Sequence, residues 1–320
     1  MTDLQAYRED LLPGLADAWN RAFVGEPNFV RVGEADLRRH VTYQDSFEPA
    51  NLLVARSGDR VLGFVHFGPR ANFWYHASRQ RANPAEGQIY VVVAPESDRS
   101  LLRDLLTAGV GHLADAGARR VLLGPSWVHG AQPFYNGIAG AYEFPGLSSV
   151  RHALIEIAAE AGFVPLAEYA TPEIDFSDRE HVAALRGVAQ ALQPRAREWG
   201  LRLRIRPLAS PYFAGRTAAE LWHGRETIAM TAYGPWTEYA HEYGRQLFGI
   251  TSVQVAPRWR GKGLGKLIML RAMEAALKDG AEAVHLHVWR DNTVAWNLYH
   301  RALDFQPTYS WVTLVKQLAS

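Results

Sequence analysis

Between Val255 and Lys266 the chain reads Val-Ala-Pro-Arg-Trp-Arg-Gly-Lys-Gly-Leu-Gly-Lys, three alternating glycines set between a strand-like run and a helical one. Upstream, Phe248 to Val255 is rich in apolar and β-branched residues. Downstream, Leu264, Leu267, Ile268, Ala272 and Ala275 recur at helical spacing until Lys278 and Gly280 close the segment. A strand therefore feeds a helix through a loop short of Cβ atoms. Such a loop lets a ligand approach the main chain, and the free amides at the helix start suit an anion such as a pyrophosphate.

Two common phosphate loops do not fit. A Gly-x-Gly-x-x-Gly dinucleotide fingerprint needs its third glycine one residue later and an acidic residue on a second strand. A Walker loop needs four residues between its glycines and a Gly-Lys-Ser/Thr ending, where this chain has Gly265-Lys266-Leu267. The arrangement Arg260-x-x-Gly263-x-Gly265 instead resembles the acetyl-CoA loop of the GNAT N-acetyltransferase superfamily. A second motif follows at the expected distance. After the strand-like Ala283 to Trp289, Asn292-x-x-Ala295-x-x-x-Tyr299 lies on a helical pattern ending at Asp304-Phe305, similar to the superfamily's Asn-x-x-Ala-x-x-x-Tyr-x-x-x-Gly-Phe. Asp304 departs from the glycine, and Asp tolerates the left-handed conformation that closes a helix.

The resemblance covers about 70 residues from Phe248 onward and implies acetyl-CoA as co-substrate. It implies that Gln254 and Val255 meet the pantetheine amides through their main chain, as a short strand addition. It implies that Arg260, Gly261, Lys262, Gly263, Gly265 and Lys266 cradle the pyrophosphate, and that Tyr299 protonates the departing thiolate. A phenol with a reference pKa near 10 suits that role, being protonated at neutral pH yet able to donate to a basic sulfur. Asn292 either caps its helix or touches the pantetheine arm, or both. A glycine-rich turn without ligand and a half-buried core tyrosine are the competing structural readings.

The general base is less well marked. His285 and His287 alternate with Val284, Leu286 and Val288, so they share a strand face, and His287 is the expected catalytic member. Histidines satisfied under a covering helix are the alternative. Glu226, Glu238 and Glu242 are further candidates.

Composition narrows the chemistry. The 320 residues include no cysteine, which excludes disulfides, thiolate metal sites and an acyl-cysteine intermediate, so acyl transfer must be direct. The formal net charge of +1 with no basic block leaves no electrostatic footprint for nucleic acid. The twelve histidines lack zinc-ligand spacing, and no metal is expected. No apolar run approaches a membrane span, and the acidic Met1-Thr2-Asp3-Leu4 start is no export leader, so no membrane association and a cytoplasmic setting are expected.

An internal repeat organises the chain. Leu52 to Ala55 and Val61 to Phe67 flank the turn Ser57-Gly58-Asp59-Arg60, and Gln88 to Pro95 is a strand ending in Ala-Pro, as does the strand ending at Pro257. After that proline, Arg260, Gly261, Gly263 and Gly265 fall opposite Asp98, Arg99, Leu101 and Arg103, so no cradle is left. Gly162-Phe163 aligns with Asp304-Phe305, which sets Val150 opposite Asn292, Ala153 opposite Ala295 and Ile157 opposite Tyr299. The expected architecture is a mixed-sheet α/β fold of two tandem GNAT-like domains. Residues 1–175 form a degenerate copy without CoA binding and 176–320 the competent one.

The boundary falls near Pro172 to Asp178. A helical run from Arg179 to Trp199, interrupted at Pro194, and a half-buried strand Leu201 to Arg206 then open the second half. No hairpin is evident between Pro207 and Gln246. Rings at Tyr212, Phe213, Trp222, Tyr233, Trp236, Tyr239 and Tyr243, and in the first half at Phe73-Trp74-Tyr75 and Phe134-Tyr135 to Phe144, are candidates to wall an acceptor pocket.

The tandem layout and length resemble those of mycothiol synthases, although no first-half feature matches that acceptor. The expected function is acetyl transfer to a primary amine of a small-molecule acceptor by a monomer or homodimer, with a non-catalytic acyl-CoA-binding or interaction protein as the alternative.

Overall fold

The computed structural model describes residues 3–26, 28–72, 81–125, 134–140, 142–143, 146–208 and 215–318. The chain divides into two compact units, Met1–Tyr169 with Tyr309–Ser320, and Ala170–Thr308.

The first unit begins with β1 (Asp3–Ala6), α1 (Leu12–Ala22) and α2 (Glu34–Leu37). The expected hairpin follows as β2 (Leu52–Ser57) and β3 (Arg60–Asn72), with Gly58 at φ 58° in its turn. Then come β4 (Arg81–Val93), α3 (Arg99–Asp115), β5 (Arg120–Leu123), β6 (Leu147–Ser148) and α4 (His152–Glu160). The strand β7 (Val164–Asp175) carries the chain into the second unit.

There, α5 (Arg179–Glu198) runs on through Pro194, which the sequence marks as an interruption. The edge strand β8 (Leu201–Pro207) leaves Leu203 and Ile205 41% and 46% exposed, so it is not the half-buried strand its alternation suggests. A hairpin does form, from β9 (Thr217–His223) and β10 (Glu226–Pro235) around Gly224 at φ 58°. It escapes the sequence pattern because Ala218, Ala219, Ala229 and Ala232 fill the core positions and give little periodic signal. The unit continues with α6 (Thr237–Tyr243), β11 (Leu247–Val255), α7 (Leu264–Lys278), β12 (Ala283–His285), β13 (Val288–Trp289) and α8 (Thr293–Trp296). A π-type turn spans Asn297–Ala302, and β14 (Gln306–Gln317) closes the chain.

Strand order in the first unit is β1-β2-β3-β4-β5-β14, and in the second β8-β9-β10-β11-β12-β7, read from the edge inward. Both sheets are mixed. β5 pairs parallel with β4 and β12 parallel with β11, each through a crossover helix, while the other pairs named are antiparallel. The last strand in each order comes from the other half of the sequence. Leu314–Gln317 pair with β5, and Glu173–Asp175 pair with β12. The final residues of the chain thus belong to the first unit, although the sequence reading assigned them to the second. Sheet pairing decides this, and no local pattern encodes it.

In the second unit α7 is the central core helix. Leu264, Leu267, Ile268, Met269, Leu270, Ala272 and Met273 are all buried against Ile228, Tyr233, Phe248 and Ile250. Truncating one such leucine to alanine costs about 2–5 kcal/mol, so this packing holds the helix start firmly in place.

Candidate functional site

β11 and β12 pair only from Leu247–Gly249 to Ala283–His285. Beyond Gly249, β11 follows β10 alone, and a bulge lies where the register shifts between Met230 and Ala232. Ser252 sits there at φ 58°, a left-handed conformation that an ordinary strand residue avoids. The amide of Ala256 donates to Ile228 O at 2.8 Å. Alternation therefore turns the peptide groups of Gln254 toward β10 and those of Val255 toward the opened edge. Of the two expected main-chain contacts, only that of Val255 faces this opening.

The loop after β11 keeps the opening clear. Gly261 and Gly263 have φ 74° and 79°, which only glycine adopts without strain. A Cβ on Gly261 would meet nothing within 4 Å, and one on Gly263 would meet only Leu192 Cδ2 at 3.6 Å. Gly263 leads into α7, and no side chain caps that helix start. Its first amides and the positive end of its dipole are left for an anion. Lys262 lies with its ammonium 4.6 Å from the Trp259 ring centre and 5.8 Å from that of Trp199, which holds the charge beside the loop. Arg260 is exposed and donates from Nε to Val255 O at 3.2 Å, so its guanidinium covers part of the opened edge. Lys266 is half-buried in the first turn of α7.

Asn292 caps α8, its Oδ1 accepting from Ala295 N at 3.1 Å. Tyr299 is buried in the π-type turn, packs edge-on to Phe305 at 6.1 Å, and has its phenol pushed well above the usual value by burial. A phenol so shifted stays protonated at any physiological pH. Asp304 takes φ 59°, the left-handed closure expected of it.

His285 and His287 do share a face, with ring centres 5.3 Å apart, although β12 ends at His285. Thr171 Oγ1 lies 2.8 Å from His287 Nδ1, while Nε2 is enclosed with no hydrogen-bond partner among the described residues. Burial drives His287 down to about 3 and His285 well below its ordinary range, so both rings are neutral at pH 7. His285 stacks on Trp236 at 5.1 Å, and its cross-strand neighbour is Glu173. Desolvation raises Glu173 against the opposing pull of Arg245, which donates to it at 3.1 Å. Sequence reasoning missed Thr171 and Glu173, because both arrive on β7 from before the domain boundary it drew.

The remaining candidates separate. Glu226 pairs with Arg258 at the loop, and Glu238 and Glu242 lie half-buried on α6. Tyr233 donates to Asp279 at 3.0 Å and belongs to the core. Trp236 and Tyr239 are buried together, Tyr243 is exposed, and Trp222 is half-buried beneath Arg204. Phe134 and Tyr135 pack around His66 in the first unit's core. Phe73, Trp74, Tyr75, Phe144, Tyr212 and Phe213 lie outside the described residues.

Residues 186–305 match the family model described as Acetyltransferase (GNAT) family, so the second unit carries a GNAT acetyltransferase domain.

Among curated relatives, the chain is 29% identical over 164 residues to a mycothiol acetyltransferase of Propionibacterium freudenreichii subsp. shermanii, covering 51% of this chain and 46% of that protein. It is 28% identical over 195 residues to the mycothiol acetyltransferase of Corynebacterium aurimucosum, covering 55% and 62%. Each alignment thus spans less than two thirds of the relative.

Two solved structures share the fold. A tandem GNAT protein from the clavulanic acid biosynthesis pathway matches with TM-score 0.63 and 14% identity, over 100% of this chain and 99% of that one. A GCN5-related glucosamine N-acetyltransferase region of a fungal GH3 β-N-acetylglucosaminidase matches with TM-score 0.68 and 15% identity, over 99% and 38%. The tandem fold is accordingly that of two GNAT-like units. Among the described residues no helix is long and apolar enough to cross a membrane.

Proposed function

We propose that the second unit transfers an acetyl group from acetyl-CoA directly to a primary amine of a small-molecule acceptor. The carrying observation is the opened edge of β11 ending in an uncapped helix start whose glycines leave free space. On this reading Val255 offers peptide groups to the pantetheine arm, with Arg260 moving aside. Gly261, Gly263 and Gly265 bring the amides of α7 to the pyrophosphate, while Lys262 and Lys266 add positive charge. Gln254 and Asn292 contribute by shape, since the peptide groups of the first and the side chain of the second are already engaged.

The acceptor must arrive as a neutral amine, because an imidazole held near 3 does not deprotonate a free ammonium. Attack on the thioester carbonyl forms the C–N bond and turns the nitrogen into a far more acidic ammonium. His287 Nε2 takes that proton, with Thr171 fixing the ring. Collapse breaks the C–S bond, and the Tyr299 phenol protonates the departing sulfur. The products are the N-acetyl amide and CoA. The first unit binds no CoA on this reading, and a cytoplasmic setting belongs to it. The names of the two curated relatives make a mycothiol-type amine the first acceptor to try.

A thiol-release assay with acetyl-CoA against a panel of small amines tests the reading. Acceptor-dependent thiol release is expected. CoA binding with no release on any amine would reduce the chain to an acyl-CoA-binding module.

A further inference from the structure

A partly open cleft lies in the first unit where β4 leaves β5. Its walls are largely apolar and aromatic, formed among others by Phe23, Phe29, Leu123, Ile138, Leu147 and Trp311. One charged cluster faces it. Arg151 is 1% exposed, and both of its terminal nitrogens donate hydrogen bonds. Nη2 donates to Ala94 O at 3.1 Å and Val92 O at 3.4 Å, Nη1 to Glu26 Oε1 at 3.1 Å and Ala22 O at 3.4 Å, and Nε lies 2.7 Å from Glu96 Oε1.

The two carboxylates differ in how they are served. Glu96 accepts from Ala153 N at 2.7 Å with Oε2, at the start of α4, while its Oε1 has only the ion-pair contact with Arg151 Nε. Glu26 lines the cavity with 15% of its side chain exposed, and only Oε1 has a partner among the described residues. Two acids share one guanidinium, so Glu26 can carry its charge on the wall of this apolar cleft only at a cost. Burial, with the Glu96 charge adding, lifts Glu26 to about 7 against the pull of Arg151. Such a charge is costly unless a cation joins it.

The cavity does not suit CoA. The strand-edge carbonyls of Val92 and Ala94 are taken by Arg151, and the Asp98 carboxylate occupies the start of α3, the counterpart of the uncapped start of α7. What is left is a cleft with apolar and aromatic walls and one carboxylate oxygen to spare.

We propose that this cavity is a second binding site of the protein, taking a hydrophobic primary amine whose ammonium pairs with Glu26 Oε2 and whose apolar body fills the space toward Trp311 and Ile138. Charge selects the ligand here. An ammonium compensates the ionised Glu26, an alcohol of the same shape brings no compensating charge, and a carboxylate adds a repelling one.

Calorimetric titration of the full chain with 2-phenylethylamine, 2-phenylethanol and phenylacetate tests this. Saturable 1:1 binding of the amine is expected, with the alcohol and the acid at least about tenfold weaker, as suits one charge-assisted contact. Glu26→Gln should weaken amine binding about tenfold or more. Ile138→Trp, which fills the cavity and keeps the charges, should abolish it. CoA binding should be unchanged in both variants, which also shows that they fold. Amine binding should persist in His287→Ala, which separates this site from the acceptor site of the second unit. No saturable binding by the wild type, equal affinity for the three probes, or binding lost in His287→Ala but kept in Ile138→Trp would each overturn the proposal.

Discussion

In the first unit β4 parts from β5 after Ile89, and in the second β11 parts from β12 after Gly249, so the repeat builds the same opening twice. The two are finished differently. A buried guanidinium, that of Arg151, bonds two strand-edge carbonyls of the first, while an exposed Arg260 reaches a single carbonyl of the second. The helix starts differ in the same sense. Asp98 caps α3 through Leu101 N at 3.0 Å, whereas Gly263 leads α7 with no cap. Protein groups fill the first opening and leave the second clear. In the first unit the fold satisfies its own polar groups, and the opening itself has not collapsed.

The helix after the opening adds a finer contrast. α4 is regular and returns Phe163 N to Ala158 O, while the π-type turn in the second unit returns Phe305 N to Tyr299 O, one residue further back. Counted from the helix starts, the residue standing where Asn292 stands is therefore Arg151 and not Val150. One position carries a helix cap in the second unit and the residue that fills the opening in the first. The extra residue also turns Tyr299 in the wider π register, a device that recurs at functional sites.

The largest expected effect breaks the comparison at the chemistry. Tyr299→Phe should lower turnover on the order of 10² to 10⁴ fold with acetyl-CoA affinity nearly kept, since shape remains and the proton is lost. Steady-state kinetics beside a binding titration checks this, and full activity would hand the acid role to another group.

Next comes the residue that fills the first opening. Arg151→Ala should destabilise the chain by about 3–5 kcal/mol, because Glu26, Glu96 and two strand carbonyls lose their partner in a buried setting. Denaturant unfolding measures it. Calorimetry on the wild type should meanwhile give one CoA per chain. A stoichiometry near two, falling to one with Gly263→Asp, would make the first unit a working CoA site and end the contrast.

Gly263→Asp itself should erase the thermal stabilisation that acetyl-CoA confers, which is about 2.7 kcal/mol at 100 times the dissociation constant. The substitution puts a side chain and a negative charge where φ 79° and an anion site both disfavour them. An unchanged thermal shift would remove the loop from the binding site.

A further comparison is set by pH. His66 in the first unit and His287 in the second are each held near 3 by burial, and His285 is lowered too. The native state then binds fewer protons than the unfolded one below about pH 6.5, so stability falls as pH drops from there toward about 3. Each group contributes up to about 1.4 kcal/mol per pH unit. Glu26, raised to about 7, works the other way, its contribution present below about 4.5 and lost as pH climbs through 7. A melting temperature that does not fall between pH 7 and 5 would show that the histidines are open to solvent. His66→Gln and His287→Gln should each flatten the slope.

Much of the second unit was legible because its signals are local. The three glycines, the helical spacing of Leu264 to Ala275 and the left-handed Asp304 depend on neighbours a few residues away, and backbone sterics alone give them meaning. The absence of cysteine likewise ruled out an acyl-cysteine intermediate. Tertiary structure decided whatever rests on pairing distant segments. It brought Thr171 to His287 across 116 positions, and it pointed Val255 rather than Gln254 at the opening through strand alternation. It gave the last strand to the first unit, and it set Arg151 under the carbonyls of Val92 and Ala94. No periodicity records such contacts, because a buried charge is placed by the partners that the fold supplies and not by its own neighbours in sequence.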